Sequence, residues 1–294
     1  MYHIAHISDL HVSPLPKVPG RLLLSKRILG YLSWHRRRKA EHRMDVLEAL
    51  GKDLESDPPD HICVTGDLTN IALPGEFETA RRYLDRLGPP EKVSVIPGNH
   101  DAYVAGALEK GSPLWAPFMR GDDGAPSHPW LRRRGPLAII GCSSAVATAP
   151  AMASGRLGAE QISKLGQILI DEGKAGRFRL VLVHHPPQEG VEPWRKALHD
   201  RKAFRDVLLA AGAELVLHGH MHVPVKAVIE DGRQSIPVLG AGSASLAKGR
   251  KGPAHYYRIA IEERTKGWHM EVESRHFDAT LGRFLSGESR KPMT

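Results

Sequence analysis

Along most of the chain, short β-branched apolar runs alternate with longer segments of helical period, and most runs end in a group of Asp, His, Asn or Gly residues. That alternation marks βαβ units, in which a buried strand is followed by a helix that covers one face of a parallel sheet. The pattern predicts strands at Tyr2–Ser8, His61–Thr65, Lys92–Ile96, Leu137–Cys142, Arg179–Val183 and Glu214–Leu217. It predicts helices at Arg43–Ser56, Glu76–Leu87, Ala159–Glu172 and Lys196–Ala211. In the last of these, Leu198, Phe204, Val207, Leu208 and Ala211 suit a stripe facing a core.

After Met221 the character changes. Val223–Ile229, Ser235–Gly240, His255–Ile261 and Trp268–Ser274 read as successive strands of a mainly antiparallel sheet, with Asp231-Gly232 as a hairpin signal between the first two. The tail beyond Phe277 is rich in Gly, Ser, Arg and Lys, which predicts loose order over 279–294. No repeat or linker interrupts the pattern, so the expectation is one domain over 1–278 that carries a basic insertion at 16–42.

The bulk properties exclude several classes. A content of 41% apolar and 25% charged residues is that of a globular chain. No apolar run approaches the roughly 20 residues that span a bilayer. The start MYHIAHISDL runs directly into a strand, so the expected location is cytoplasmic, with peripheral membrane contact left open. Cys63 and Cys142 offer no disulfide framework and no CxxC pair. A formal charge of +8 favours an acidic partner such as a phosphate ester, a nucleic acid or an anionic membrane.

The groups at the strand ends carry the chemistry. They are Asp9-Leu10-His11, Gly66-Asp67, Gly98-Asn99-His100-Asp101, His184-His185-Pro186 and Gly219-His220-Met221-His222. In open α/β sheets ligands bind outside the carboxyl ends of strands, where all five groups fall. Carboxylate, imidazole and amide oxygen together suit Mn, Fe or Zn. Taken singly, several groups have blander readings: Gly-Asp is a common turn, Asn99 could be a turn residue, and His184-His185 could cap a strand before its prolines. Five in succession, each at its own strand end, are hard to explain as turns. A nucleophile-elbow motif is missing at Gly141-Cys142-Ser143-Ser144-Ala145, and no phosphate-binding loop motif is present.

The series Asp-x-His, Gly-Asp, Gly-Asn-His-Asp, His and Gly-His-x-His resembles the calcineurin-like metallophosphoesterase superfamily, and its motifs span Asp9 to His222. The stretch Gly155-Arg156-Leu157-Gly158-Ala159-Glu160-Gln161, with Leu165 and Leu169, is similar to its bacterial class III cyclic-nucleotide phosphodiesterases. The resemblance implies an α/β fold, a four-layer α/β/β/α sandwich of two packed mixed sheets flanked by helices. It also implies two metal ions: Asp9, His11 and His222 on the first, Asn99, His184 and His220 on the second, and Asp67 on both. Manganese and iron lead as candidates, and zinc follows. Such a pair would activate a shared water for in-line attack on a phosphodiester, cyclic nucleotides included. His100 would assist the transition state or protonate the leaving group, and Asp101 would either orient His100 or cap the following turn.

Between Asp9-Leu10-His11 and the first core helix lies Arg21 to Lys39, in which Leu24, Ile28, Tyr31 and Leu32 would share one helical face ahead of Arg36-Arg37-Arg38. Such a helix could dock on anionic lipid, cover an amphiphilic substrate, or pack its apolar face on the core or on a second subunit of a homodimer. Arg36, Arg37 and Arg38 are candidate substrate contacts, since the segment leaves the strand bearing Asp9 and His11. Arg132-Arg133-Arg134 reads as a solvated loop or strand edge. Besides a phosphodiesterase, the same centre would serve a lipid-linked pyrophosphatase of the UDP-diacylglucosamine type, a DNA or RNA nuclease, or a metal-binding module without turnover.

Overall fold

A computed structural model of the chain describes residues 1–248, 251–265, 267–287 and 291–292. The apolar runs form β1 (Tyr2–Ile7), β2 (His61–Val64), β3 (Val93–Val95), β4 (Trp130–Arg134), β5 (Leu137–Gly141) and β6 (Phe178–Leu182). They are followed by β7 (Leu215–His222), β8 (Val225–Glu230), β9 (Ser235–Gly242), β10 (His255–Arg264), β11 (Gly267–Asp278), β12 (Arg283–Ser286) and β13 (Lys291–Pro292). One sheet has the order β12-β11-β10-β1-β2-β3, with β13 beside β11; the other has the order β4-β5-β6-β7-β9-β8. Both are mixed. β1, β2 and β3 run parallel while β10 joins β1 antiparallel. In the second sheet β5, β6, β7 and β9 run parallel between antiparallel β4 and β8.

The strand alternation explains the layering. On β1, Ile4 points between the sheets to meet Leu180, Leu217 and Ile259, while Ala5 and Ile7 point outward. There they meet Val46, Leu47 and Leu50 of the helix Met44–Ser56 and Phe77 and Leu84 of Pro74–Leu87. The second sheet is covered in the same way by Ala159–Lys174 and Arg201–Ala211, through Leu165, Leu169, Phe204 and Leu208. Strands buried on both faces read as nearly unbroken apolar runs, which is why the sequence revealed them. The result is the expected four-layer α/β/β/α sandwich.

Four expectations need correction. The strands after Met221 do not form one sheet: β8 and β9 extend the second sheet, and β10 to β12 extend the first. Hairpin signals specify neighbours within a pair and carry no information on which sheet the pair joins. The Asp231-Gly232 turn does form, with Asp231 accepting hydrogen bonds from the amides of Arg233 and Gln234. Residues beyond 279 are not loose throughout, because β12 pairs with β11 and buries Phe284 between Tyr256 and Phe277. Residues 288–290 and 293–294 of that predicted tail lie outside the described residues. The run Arg132-Arg133-Arg134 does lie on an edge strand, β4, but Arg132 is buried and not solvated: its guanidinium donates to the carbonyls of Pro90, Val93, Pro117 and Arg120, tying β4 to β3.

The fourth correction concerns the insertion. The helix Arg27–Ser33 continues as a wider turn over Trp34–Arg38, and the face it turns inward carries Arg27, Gly30 and Trp34. Arg27 donates to the carbonyls of Ile71 and Ala72, and a side chain at Gly30 would strike Ile71 and Tyr103. Leu24, Ile28 and Leu32 therefore face solvent, opposite to a core-packing face.

Several histidines are buried away from the site, and they contribute to the acid sensitivity of the fold. Burial, with Arg132 and Arg134 nearby, pushes His61 down to about 3, and burial with His276 and Lys226 does the same to His255. A depressed folded pKa means stability that is complete above the unfolded value of about 6.5 and is lost as pH falls from there toward about 3. The melting temperature should accordingly drop steadily as pH is lowered from 6.5 to 4.5, and His61→Gln should flatten that slope in a thermal-unfolding series.

Candidate metal centre

The predicted residues come together at one end of the sandwich, where the carboxyl ends of β1, β2 and β3 meet those of β6 and β7. The backbone there is unusual. Asp9, His11, Asp67, His220 and His222 all have positive φ, between 41° and 70°. Left-handed backbone costs about 1–3 kcal/mol at each non-glycine residue and persists only where surroundings enforce it. It turns Asp9 and His11, two residues apart, toward the same side. His220 and His222 reach the site differently from expectation, since β7 runs on through His222 and is bulged against β9 between His218 and His222.

Close approach of the two sheets requires glycine. A Cβ on Gly219 would stand 1.9 Å from Ser8 Oγ and 2.6 Å from Asp9 Oδ2, so β7 can touch β1 only without a side chain there. A Cβ on Gly98 would lie 2.2 Å from Asp67 Oδ1.

Two clusters share one carboxylate. In the first, His222 Nε2 lies 3.0 Å from Asp9 Oδ1 and 3.1 Å from His11 Nε2. One donor atom from each of Asp9, His11, Asp67 and His222 falls within 4.8 Å of the others. In the second, Asn99 Oδ1 lies 3.2 Å from His184 Nε2 and 2.9 Å from His220 Nδ1. Asp67 Oδ2 stands between the two, 4.0 Å from His11 Nε2 and 3.3 Å from His184 Nε2. Its other oxygen accepts the His100 amide at 2.7 Å.

The tautomers show what the arrangement lacks. His11 donates from Nδ1 to the Thr69 carbonyl at 2.9 Å, and His184 donates from Nδ1 to the Thr65 carbonyl at 2.6 Å. Their Nε2 atoms thus point into the site, and His220 Nε2 is buried without a hydrogen-bond partner. Converging lone pairs need positive charge between them. A proton can meet this need at His184: although burial opposes it, the Asp67 carboxylate beside it lifts that ring to about 9. Burial, with His42 and Arg38 nearby, holds His11 well below its usual range, and burial does the same to His220. Neutral imidazoles, carboxylates and an amide oxygen in this geometry fit two transition-metal or divalent ions.

His185, the alternative to His184, is engaged elsewhere, with its ring nitrogens on Ser144 Oγ and the Ala153 carbonyl. Asp101 does not orient His100. Its carboxylate accepts the amides of Gly98 and Thr69 and the Thr69 hydroxyl, so it clamps the loop after β3 to the loop after β2. His100 is instead fixed by the Asn70 carbonyl, which its Nδ1 meets at 2.5 Å.

A cavity of about 480 Å³ opens over both clusters, lined among others by Arg37, Arg38, His42, His100, Lys196 and Lys251. Arg38 reaches the site itself, its guanidinium 3.1 Å from His100 Nε2. Arg37 lines the cavity while pairing with Glu41, and exposed Arg36 is not part of the lining. His42 was not foreseen. It is buried against Ser245 Oγ at 2.8 Å, its ring 4.6 Å from that of His11, and with His11 and His222 it forms a second close donor group. No local motif marks it in the sequence, because it follows the insertion and depends on a loop over two hundred residues away.

The calcineurin-like phosphoesterase family model matches residues 2–224, and the chain belongs to this family. No curated protein matches the sequence significantly. Among solved structures it is similar to a dimetal phosphatase from Danio rerio, with a TM-score of 0.63 at 11% identity over 97% of this chain and 98% of that one. It is also similar to a purple acid phosphatase from yellow lupin, with a TM-score of 0.56 at 12% identity over 97% of this chain and 52% of the other. A third is the sulfate thiohydrolase SoxB of Thermus thermophilus, with a TM-score of 0.51 at 17% identity over 97% of this chain and 56% of the other. At these identities the likeness is one of fold. Family and donor set together define a metal-dependent phosphoester hydrolase.

The contact of β7 with β1 can be tested separately from the chemistry. Gly219→Ala should displace Asp9 and weaken metal binding by ~10-fold or more in calorimetric titration of metal-stripped protein. An unchanged affinity in a folded variant would show that this approach is dispensable.

Proposed function

We propose that the chain hydrolyses phosphodiester bonds with two metal ions, manganese or iron by preference. Asp9, His11 and His222 would hold one ion, Asn99, His184 and His220 the other, and Asp67 both. The observation that carries this reading is the convergence of buried imidazole nitrogens, carboxylate oxygens and an amide oxygen on either side of Asp67. When bound, two such ions lower the pKa of water and neutralise charge gathering on phosphoryl oxygens.

The remaining roles belong to the chain. The Asn70 carbonyl keeps the proton of His100 on Nδ1 and leaves Nε2 toward Arg38. Burial and the Arg38 charge hold His100 down to about 3, so the ring is neutral near pH 7. Arg38, and not a protonated His100, then provides the positive charge for a phosphoryl oxygen, while His100 keeps that guanidinium aimed by accepting its hydrogen bond. Asp101 supports the arrangement by holding Gly98 and Thr69 together.

A second reading has its own observation. Arg37, Lys196 and Lys251 join Arg38 around the cavity, which suits a substrate with a further phosphoryl group, such as a disubstituted pyrophosphate. Lipid-linked pyrophosphates of the UDP-diacylglucosamine type belong to that class.

Metal-stripped protein supplied with Mn, Fe or Zn should cleave bis(p-nitrophenyl) phosphate faster than p-nitrophenyl phosphate. Turnover of the monoester alone would overturn the diester reading. Asp67→Asn and His100→Ala should each lower kcat by about 10²-fold or more. Arg38→Ser should raise KM about tenfold while Arg36→Ser leaves it unchanged, which separates the two arginines by steady-state kinetics.

A further inference from the structure

The insertion presents a surface that phosphoester chemistry does not use. Leu24, Ile28, Leu29 and Leu32 are 88%, 44%, 47% and 42% exposed, four large apolar side chains within nine residues. Ile28 and Leu32 are one helical turn apart, Leu29 lies beside them, and Leu24 precedes Ile28 by the same spacing. The helix is anchored from its opposite face by Arg27, Gly30 and Trp34, and Lys26 is tied to Thr148 Oγ1 and the Met152 carbonyl. Clustered apolar exposure of this kind marks an interaction surface, in contrast to scattered single residues.

The segment that carries it is basic. No acidic residue occurs between Asp9 and Glu41. Exposed Arg21 precedes the apolar face, and exposed His35, Arg36 and Lys39 follow it along the same continuous helical run. We propose that this face docks on an anionic lipid bilayer, with the four aliphatic side chains entering the interface and the basic residues meeting lipid phosphates. A second copy of the chain fits less well. A twofold contact through this face would set its basic flanks against their own counterparts.

Arg37 and Arg38 lie five and six residues beyond Leu32 on the same run and line the cavity over the candidate metal centre, so docking would hold these cavity residues about 10 Å along the helix from the docked face. The surface proposal stands apart from the choice between diester and pyrophosphate, because it is read without turnover.

The test is flotation of the full-length protein with phosphatidylcholine vesicles, alone or with 30% phosphatidylglycerol. The anionic vesicles should bind at least about tenfold more protein, and 0.5 M NaCl should weaken that binding. The quadruple variant Leu24→Ser, Ile28→Ser, Leu29→Ser, Leu32→Ser should lose the binding while keeping its melting temperature and its hydrolysis of a soluble diester. Arg21→Ser with Lys39→Ser should lose the preference for anionic lipid. No binding to anionic vesicles, or equal binding by the quadruple variant, would overturn the proposal. So would a dimer by light scattering that the quadruple variant dissociates, which would make the face a subunit contact.

Discussion

The arrangement around Asp67 depends on buried donor atoms from both sheets converging on one carboxylate. Its Oδ2 faces an imidazole nitrogen from each of two strands in different sheets, while its Oδ1 holds the His100 amide. Each histidine already donates from Nδ1 to a backbone carbonyl, so the inward Nε2 of His11 offers only a lone pair, while His184 can carry a second proton toward Asp67. Without a cation, such a cluster repels itself. The fold tolerates this because the surrounding sandwich is rigid: apolar side chains from both sheets interlock behind the site and set the strand ends at fixed separation.

The strain sits where the donors are. Five of the candidate ligand positions have left-handed backbone, and the loops carrying them are cross-linked by buried hydrogen bonds. Asp101 joins the loops after β2 and β3, Ser243 Oγ holds the Asp9 carbonyl, and the His220 amide donates to Asp9 Oδ2. Where β7 meets β1, space is so limited that Gly219 admits no side chain. The ligand geometry is therefore a property of sheet-to-sheet packing as much as of the ligands themselves. The insertion adds cations to this rigid base: it leaves β1, is bolted down by Arg27 and Trp34, and delivers Arg38 to His100.

Much of this was legible in residue order. The parallel strands announced themselves because burial on both faces demands continuous apolar runs, and the donor groups did so because each follows such a run. The reading of Arg132 failed because charge pattern alone does not reveal four carbonyls waiting in other loops. The stripe Leu24, Ile28 and Leu32 was legible as a face, yet periodicity does not say whether a face turns in or out. Arg27 and Gly30 look unsuited to burial until the carbonyls of Ile71 and Ala72 and the tight approach to Ile71 are seen.

By itself the sequence determined the layered α/β plan, the family, and which Asp, Asn and His residues gather as candidate donors, since these follow from local burial periodicity and from residue chemistry at strand ends. Only the tertiary structure decided which sheet each late strand joins, that Asp101 clamps a loop, that His42 stands beside His11, and that Arg38 caps His100. Those outcomes depend on contacts between segments far apart in the chain. Their energies come from pairing buried polar groups that no local pattern records.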